Sequence, residues 1–294
     1  MELQQLRYVV AVAEAGSFTK AAEQCGVTQP SLSQQIQKLE QELGAPLFDR
    51  LPRRVVLTEA GRTLAGRART VLAGVEDARR EVAESSGSSC GRLIVGAIPT
   101  VAPFVAPPAI RELRRRMPQL ALRIEENVTA ELLRGLLAGE IDVAIASAPI
   151  EHEHLHVEPL FVEPLRLALA TDHPLARKRK VKWSDLHEES LLVLHDVHCL
   201  GQQVGAFCQQ NDVASVIAFR GAQIATLLAM VELGLGISLI PDMAARADTS
   251  KKRVYRDLAG DLPTRTIVAV WNLLRYRTNA ARALVEAVGE GWRP

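Results

Sequence analysis

SFTKAAEQCGVTQPSLSQQIQKLEQELG, residues 17–44, decides the fold of the N-terminal part of the chain. Ser17 can cap the start of one helix and Gly26 can end it, because a serine hydroxyl accepts hydrogen bonds from free helix N–H groups and glycine adopts a left-handed conformation. Thr28 and Gly44 can bracket a second, longer helix in the same way. The stretch therefore predicts two helices joined by a short turn.

An amphipathic helix precedes this stretch, and a short hairpin follows it. Apolar residues spaced three and four apart predict one buried face on each long helix. Residues 46–58 hold two short apolar runs around a basic tip, which predicts a small hairpin, or wing. The predicted buried faces consist of Leu3, Leu6, Val10 and Ala13 in the first helix and of Leu32, Ile36, Leu39 and Leu43 in the third.

The third predicted helix turns polar side chains away from this core. Helix, short turn and helix is the arrangement that places a helix in the major groove of DNA, where Gln, Ser and Lys bond to base edges and phosphates. The alternative is a three-helix bundle whose polar face is merely solvated. Charge does not distinguish it from a DNA-binding domain, since residues 1–60 hold six basic and seven acidic residues. The candidate DNA-binding residues are Gln29, Pro30, Ser31, Ser33, Gln34, Gln37 and Lys38 on the helix and Arg50, Arg53 and Arg54 on the wing tip.

A long helical pattern runs from Thr58 to about Ser85. A helix of about 25 residues spans roughly 37 Å, and its apolar stripe is too long for a small domain to cover. The same helix from a second chain is the simplest partner. The serine- and glycine-rich residues 85–91 predict a hinge and a domain boundary.

After the hinge, apolar strands alternate with helical stretches to the end of the chain. This alternation predicts an α/β fold with mostly parallel sheets. About 200 residues suffice for two lobes with a ligand cleft between them. The full length of 294 residues, with 48% hydrophobic and 23% charged, is that of a folded chain of about two domains.

Several classes of protein are disfavoured by composition. A net charge of +1 gives no global field for nucleic acid, and 4% aromatic residues disfavour single-strand binding by stacking. The first residues carry no secretion signal, and no membrane span is predicted. Four cysteines in so long a chain predict the reducing cytoplasm rather than a disulfide framework. No motif for a metal, a cofactor or an enzyme is present, so we expect none of the three.

The chemically informative stretch is HDVHCLGQQVGAFC, residues 195–208. Cys199 lies where a strand passes into a helix, so helix N–H groups, His198 and a nearby arginine are expected to lower its pKa. Cys208 would lie roughly 13–14 Å further along that helix, whereas a disulfide needs Cα atoms within about 7 Å. Joining the two sulfurs would therefore unwind the helix. Inert packing of both cysteines is the alternative.

Several motifs resemble the LysR-type transcriptional regulators. They are residues 18–23, 27–36, 47–50 and 57–61 in the N-terminal part and residues 139–145, 172–175 and 234–241 further on. The resemblance implies a winged helix-turn-helix at 1–60, a linker dimerisation helix and hinge at 61–88, and a two-lobed effector domain like a periplasmic binding protein at 89–294. The implied lobes are residues 89–162 with 265–294 and residues 163–264.

The cysteine segment is similar to the peroxide-sensing OxyR branch of that family. The resemblance implies that Cys199 is the peroxidatic sensor thiol and Cys208 the resolving thiol. It also implies a peroxide pocket, although Thr100 and Thr129 are also expected to act as helix caps. Val197 and the pair Gly201-Gln202 depart from the branch pattern. The implied pocket residues are Thr100, Thr129, His198 and Arg265.

The leading hypothesis is a regulator that senses hydrogen peroxide through a Cys199–Cys208 disulfide. The implied partners are a pseudo-palindromic DNA duplex, a thiol reductant and further copies of the chain in a homodimer or homotetramer; RNA polymerase is a further candidate partner. Regulation of transcription in the cytoplasm is the expected role, as an activator or as a repressor. Two alternatives stay open: a LysR-type regulator gated by a small organic anion near Thr100, with structural cysteines, and a thiol peroxidase.

Overall fold

The computed structural model describes residues 1–51, 54–86, 91–187, 189–213 and 216–291. The chain forms two compact units, one made mainly of residues 1–88 and the other mainly of residues 89–294. Within the described residues, no helix is long and apolar enough to cross a membrane, and no cluster of three or more ligating side chains could hold a metal ion.

The N-terminal unit begins with three helices and a hairpin. The Ser17 hydroxyl caps the second helix by accepting from the Lys20 N–H, and the Thr28 hydroxyl caps the third by accepting from the Ser31 N–H. Gly44, with φ of 67°, ends the third helix as predicted. The elements are α1 (Leu3–Ala15), α2 (Phe18–Gln24), α3 (Gln29–Leu43) and the antiparallel pair β1 (Phe48–Leu51) and β2 (Arg54–Leu57).

The buried faces of two of these helices differ from the predicted ones. In α1 the face turns toward Tyr8, Val9 and Val12, and Leu3 is 43% exposed. In α3 the predicted stripe is buried through Leu39, but Leu43 is 42% exposed. Both misassigned leucines lie at helix ends, where the neighbouring helix no longer covers the stripe.

A single helix, α4 (Glu59–Ser85), follows the hairpin, and the Thr58 hydroxyl caps it by accepting from the Gly61 N–H. Its predicted apolar stripe remains largely uncovered in one chain, with Val71 47% and Val82 68% exposed. Most of the predicted hinge, residues 87–90 with Cys90, lies outside the described residues.

The C-terminal unit contains two groups of parallel strands and one long strand. β3 pairs in parallel with β4 and β5, and β8 pairs in parallel with β9. Its elements are β3 (Arg92–Ala97), α5 (Ala102–Arg116), β4 (Ala121–Glu126), α6 (Thr129–Ala138), β5 (Val143–Ser147), β6 (Leu155–Ala170), β7 (Lys180–Val181), β8 (Ser190–Leu194), α7 (Cys199–Gln210), β9 (Val216–Gly221), α8 (Ile224–Glu232), β10 (Ser238–Pro241), α9 (Asp242–Ala247), β11 (Arg253–Leu258), β12 (Thr264–Asn272) and α10 (Asn279–Gly291).

The sheets are mixed, so the expectation of mostly parallel sheets is wrong. β6 pairs antiparallel with β12 from Leu155 to Pro164 and antiparallel with β10 and β11 from Leu165 onward. β12 also pairs antiparallel with β5. One continuous strand therefore joins both halves of the eight-stranded sheet, because the chain passes between them extended rather than through a crossover helix. The sequence reading found neither β7 nor β11.

Candidate functional site

Cys199 is the first residue of α7, just beyond the loop that leaves β8. The cysteine is partly exposed and borders a small pocket shared with Thr100, Thr129 and His198. The space between these side chains is narrower than a water molecule. The structure thus brings three of the predicted pocket residues together around the sulfur.

Arg265 is a fully buried cation beside this pocket. Its Nη1 donates to the Thr100 hydroxyl at 2.7 Å and its Nη2 to the Thr100 carbonyl at 3.1 Å. Its Nε donates to the Glu163 carboxylate at 2.7 Å. Three donors on two partners fix the plane of the guanidinium, and its charge lies close enough to Cys199 to favour the thiolate.

Glu163 is a site residue that the sequence reading missed. It stands opposite Arg265 in the ladder of β6 and β12, and the two side chains form an ion pair in which both are fully buried. Glu163 also accepts from the Met243 N–H at 3.2 Å. Burial raises the pKa of the carboxyl, and Arg265 opposes that rise. The one signal in the sequence is that Arg265 directly precedes the apolar run 266–270, where a buried arginine would need a counter-ion.

Neither pocket threonine is a helix cap, contrary to expectation. α5 begins at Ala102 with no side-chain cap, and the Thr100 hydroxyl instead accepts from Arg265. The Thr129 hydroxyl is buried and has no hydrogen-bond partner among the described residues. It lies close enough to the Cys199 sulfur to favour the thiolate. Thr129 thus presents a buried hydroxyl to the sulfur.

The expected lowering of the Cys199 pKa is wrong. Burial raises the pKa of the thiol, and this effect outweighs Arg265, Thr129 and the N–H groups of Leu200 and Cys199, all of which lower it. His198 also differs from expectation: burial, assisted by His195, lowers its pKa, so the imidazole is neutral at neutral pH. The positive charge at the sulfur comes from Arg265.

Cys208 lies away from the pocket at Cys199, in the apolar core. It is 7% exposed and shares one face of α7 with Leu200 and Val204. Burial raises the pKa of its thiol. It lies nine positions further along α7 than Cys199, roughly 13–14 Å of helical rise, so no disulfide joins them in this conformation.

Two further residues hold α7 in place. A Cβ on Gly201 would lie 2.5 Å from the Leu194 carbonyl oxygen, so the first turn of α7 fits against the end of β8 only with glycine there. Gln203 donates through Nε2 to the Ser147 hydroxyl at 3.0 Å and to the Ala148 carbonyl at 2.9 Å. Gln203 therefore ties the middle of the helix to the end of β5.

The predicted DNA-binding residues of α3 lie on one accessible face. All of them are exposed apart from Ser33, which is half-buried, while Leu32 and Ile36 point into the core. Arg50 and Arg54 fall in the strands of the hairpin, and Arg53 lies outside the described residues. Cys25 packs beside this core, where burial raises the pKa of its thiol.

Family models match both units of the chain. Residues 3–62 match the bacterial regulatory helix-turn-helix protein of the lysR family, and residues 86–293 match the LysR substrate binding domain. A relative from Dickeya chrysanthemi, named hydrogen peroxide-inducible genes activator, is 40% identical over 92% of this chain and 89% of its own length. The chain belongs to the LysR family, in the group of the hydrogen peroxide-inducible genes activators.

Solved structures of LysR-family OxyR proteins share the fold. A cysteine-to-aspartate mutant of full-length OxyR from Pseudomonas aeruginosa has a TM-score of 0.84 at 32% identity and covers 98% of this chain and 94% of its own. A cysteine-to-serine mutant of OxyR from Corynebacterium glutamicum, described as bound to hydrogen peroxide, has a TM-score of 0.67 at 31% identity, with 98% and 92% covered. The mixed α/β architecture with a helix-turn-helix is therefore that of the family.

Proposed function

We propose that this LysR-family regulator detects hydrogen peroxide at Cys199 and answers by forming a disulfide with Cys208. The observation that carries the proposal is the polar surrounding of one sulfur. Beside Cys199 lie a buried hydroxyl, that of Thr129, and a buried guanidinium, that of Arg265. Cysteines that merely pack have apolar neighbours, as Cys208 does.

The chemistry follows from these groups. The Cys199 thiolate attacks one peroxide oxygen, the O–O bond breaks, and the leaving hydroxide takes up a proton as water, which leaves a sulfenic acid. The Cys208 thiolate then attacks the sulfenic sulfur and displaces a second hydroxide, which is also protonated to water. In sum, two thiols and one peroxide give one disulfide and two water molecules.

The raised pKa of Cys199 changes how this reactivity arises. At neutral pH the sulfur is mainly a protonated thiol, because burial disfavours its charged form. Arg265 and Thr129 favour the thiolate and are positioned to stabilise the negative charge that moves onto the leaving oxygen. Positioning, rather than a depressed pKa, supplies the acceleration in this proposal. Because the pocket is narrower than water, peroxide enters only when its walls separate.

Mass spectrometry of the full-length reduced protein tests the switch directly. One equivalent of hydrogen peroxide should produce an intramolecular bond between Cys199 and Cys208, while Cys199→Ser abolishes it and Cys25→Ser, the matched control, leaves it intact. Persistent free thiols at both positions would contradict the proposal. Sustained turnover of peroxide with a thiol reductant would instead favour a peroxidase.

We propose that α3 enters the major groove of a pseudo-palindromic duplex and that the α4 helices of two chains pair through their exposed stripe. Two such pairs would make a homotetramer, with RNA polymerase as a further partner and the cytoplasm as the site of action. The lobes would meet near residues 162 and 264.

Sedimentation of Val71→Glu against wild type tests the pairing of the α4 helices. The introduced charge should shift the protein toward monomer, and an unchanged mass would contradict the pairing. Replacing Gln34 with Ala should weaken binding to the target duplex while leaving that mass unchanged.

A cleft of about 520 Å³ supports a second candidate, a regulator gated by a small ligand. The cleft adjoins Thr100 and is bordered by Phe104, Gln223 and Arg253. Arg253 is engaged with Asp248 and Glu232, and Thr100 with Arg265, so no residue that the structure describes along this cleft offers a free cation to an organic anion. Melting shifts by small carboxylates that persist in Cys199→Ser would favour this candidate over peroxide sensing.

A further inference from the structure

An open cleft of about 400 Å³ lies in the C-terminal unit, on the part of the sheet formed by β6, β7 and β11. This basic cleft is bordered by five cations and one carboxylate. Its volume is within the range of small-ligand sites. The charged residues of the basic cleft are Arg166, Arg177, Lys178, Arg179, Arg256 and Asp257.

Two of the five cations already have carboxylate partners. Arg166 pairs with Asp257 and, at 2.7 Å, with Asp242. Lys178 pairs with Asp185 at 2.7 Å. The single carboxylate of the cleft is thus occupied by Arg166, and it offsets none of the remaining three cations.

Arg256 is fixed in the cleft by neutral groups alone. Its Nε donates to the Lys178 carbonyl at 2.9 Å, its Nη1 to the Tyr255 carbonyl at 2.8 Å and its Nη2 to the Ala176 carbonyl at 2.7 Å. Main-chain carbonyls hold the guanidinium still but leave its full charge, and a guanidinium has five N–H donors, of which two remain. A preorganised arginine of this kind matches the oxygen geometry of a phosphate.

Arg177 and Arg179 flank this fixed group. Both side chains are exposed, and neither forms a hydrogen bond or an ion pair with any residue that the structure describes. Arg177 ends the 3₁₀ turn Pro174–Arg177, and Arg179 stands just before β7. The cleft therefore carries three uncompensated guanidinium groups, those of Arg177, Arg179 and Arg256.

Charge at a sheet edge can also serve only to block pairing with another sheet. β7 is the edge strand here, and the exposed Lys180 and Lys182 meet that need. Blocking an edge does not require an arginine held by three carbonyls in a concave surface. Protection of the sheet edge therefore does not explain why Arg256 is held by three carbonyls.

We propose that the basic cleft binds an oligophosphate, the phosphate chain of a nucleoside polyphosphate or of inorganic polyphosphate, through Arg177, Arg179 and Arg256. A chain of several phosphates matches three separate positive charges, whereas one phosphate would leave two of them unmatched. The site is independent of Cys199, and none of its residues belongs to the proposed peroxide pocket.

Calorimetric titration of the reduced full-length protein with sodium tripolyphosphate tests the proposal at moderate ionic strength. We expect saturable binding that Arg256→Gln weakens about ten-fold, as does the double variant Arg177→Gln with Arg179→Gln. The matched control removes two exposed cations outside the cleft, Lys251→Gln with Arg134→Gln, and should change the affinity less than two-fold. Peroxide-driven disulfide formation should be unchanged in every variant, so this test and that of the thiol switch fail separately.

Parallel titrations with ATP distinguish the sources of the phosphate chain. Tighter binding of ATP identifies a nucleotide, and equal binding identifies the phosphate chain alone; both outcomes support the site. Absence of saturable binding, or equal weakening by the control variant, would overturn the proposal. It would also be overturned if random duplex DNA, and not tripolyphosphate, lost affinity in the cleft variants, because the surface would then be a contact for nucleic acid.

Discussion

Glu163 and Arg265 stand opposite each other on β6 and β12 and form an ion pair, with 2.6 Å between the closest oxygen and nitrogen, that is fully buried. The pair spans the point at which β6 leaves the ladder with β12 and begins to pair with β10 and β11. The same arginine holds Thr100 and favours the thiolate of Cys199. One buried ion pair thus connects the sheet to the pocket at Cys199.

Replacing Glu163 with Gln is expected to lower the free energy of unfolding by about 3 kcal/mol, because a buried guanidinium would lose its counter-ion. Urea unfolding of the reduced protein measures the change. The control is Glu158→Gln, which breaks a more exposed pair with Arg277 and should change the unfolding free energy by less than about 0.5 kcal/mol. Equal effects of the two variants would show that burial of the Glu163 pair contributes nothing.

The rate of peroxide oxidation at Cys199 is expected to rise with pH through neutrality, because the thiolate is the nucleophile and burial raises the pKa above its ordinary 9.0. Below that pKa the rate should increase about ten-fold per pH unit. His198 adds no second step there, since its pKa is lowered from 6.5. Stopped-flow oxidation of Cys208→Ser isolates this first reaction. A rate that is already constant at neutral pH would contradict the raised pKa.

Replacing Gln203 with Ala is expected to accelerate the disulfide step and not the first oxidation. The substitution removes two hydrogen bonds that tie α7 to the end of β5, each contributing about 1 kcal/mol, so the helix should unwind up to about 30-fold faster. Trapping of the sulfenic acid separates the two steps. Gln209→Ala, on the exposed side of the same helix, should change neither rate; acceleration of the first oxidation would place Gln203 in the pocket instead.

Alanine at Gly201 and at Gly205 should have opposite effects on stability. At Gly201 the new Cβ meets the Leu194 carbonyl oxygen at 2.5 Å, and overpacking of this kind costs about 1–3 kcal/mol. At Gly205 nothing lies within 4 Å, so alanine should stabilise the helix by about 0.5–1 kcal/mol. Thermal unfolding of both variants tests the fit of α7 against β8. A Gly201→Ala protein as stable as wild type would show that the first turn is loosely held.

Local signals in the sequence were sufficient for the N-terminal helices. Ser17, Thr28 and Gly44 act within one turn of their own position, so their capping roles are visible without the rest of the fold. The motif around Cys199 likewise pointed to Thr100 and Arg265, which the structure brings to one place. The roles assigned to these residues stay predictions.

Long-range balances were not accessible from the sequence. Glu163 faces Arg265 because of the register between two strands about one hundred residues apart, which no local pattern encodes. The direction of the Cys199 pKa shift depends on burial against charge, and burial follows only from the packed structure. The predicted burial of Leu3 and Leu43 was wrong for the same reason, since the spacing of apolar residues does not show where the covering helix ends.

Cys208 shares its helix face with Leu200 and Val204 inside the apolar cluster. In the proposed switch, drawing this sulfur toward Cys199 pulls that face out of its packing and leaves a void, at a cost of several kcal/mol. The oxidised protein would therefore be strained relative to the reduced one. A reductant would need only to cut one bond, and repacking of the apolar face would return the regulator to its resting shape.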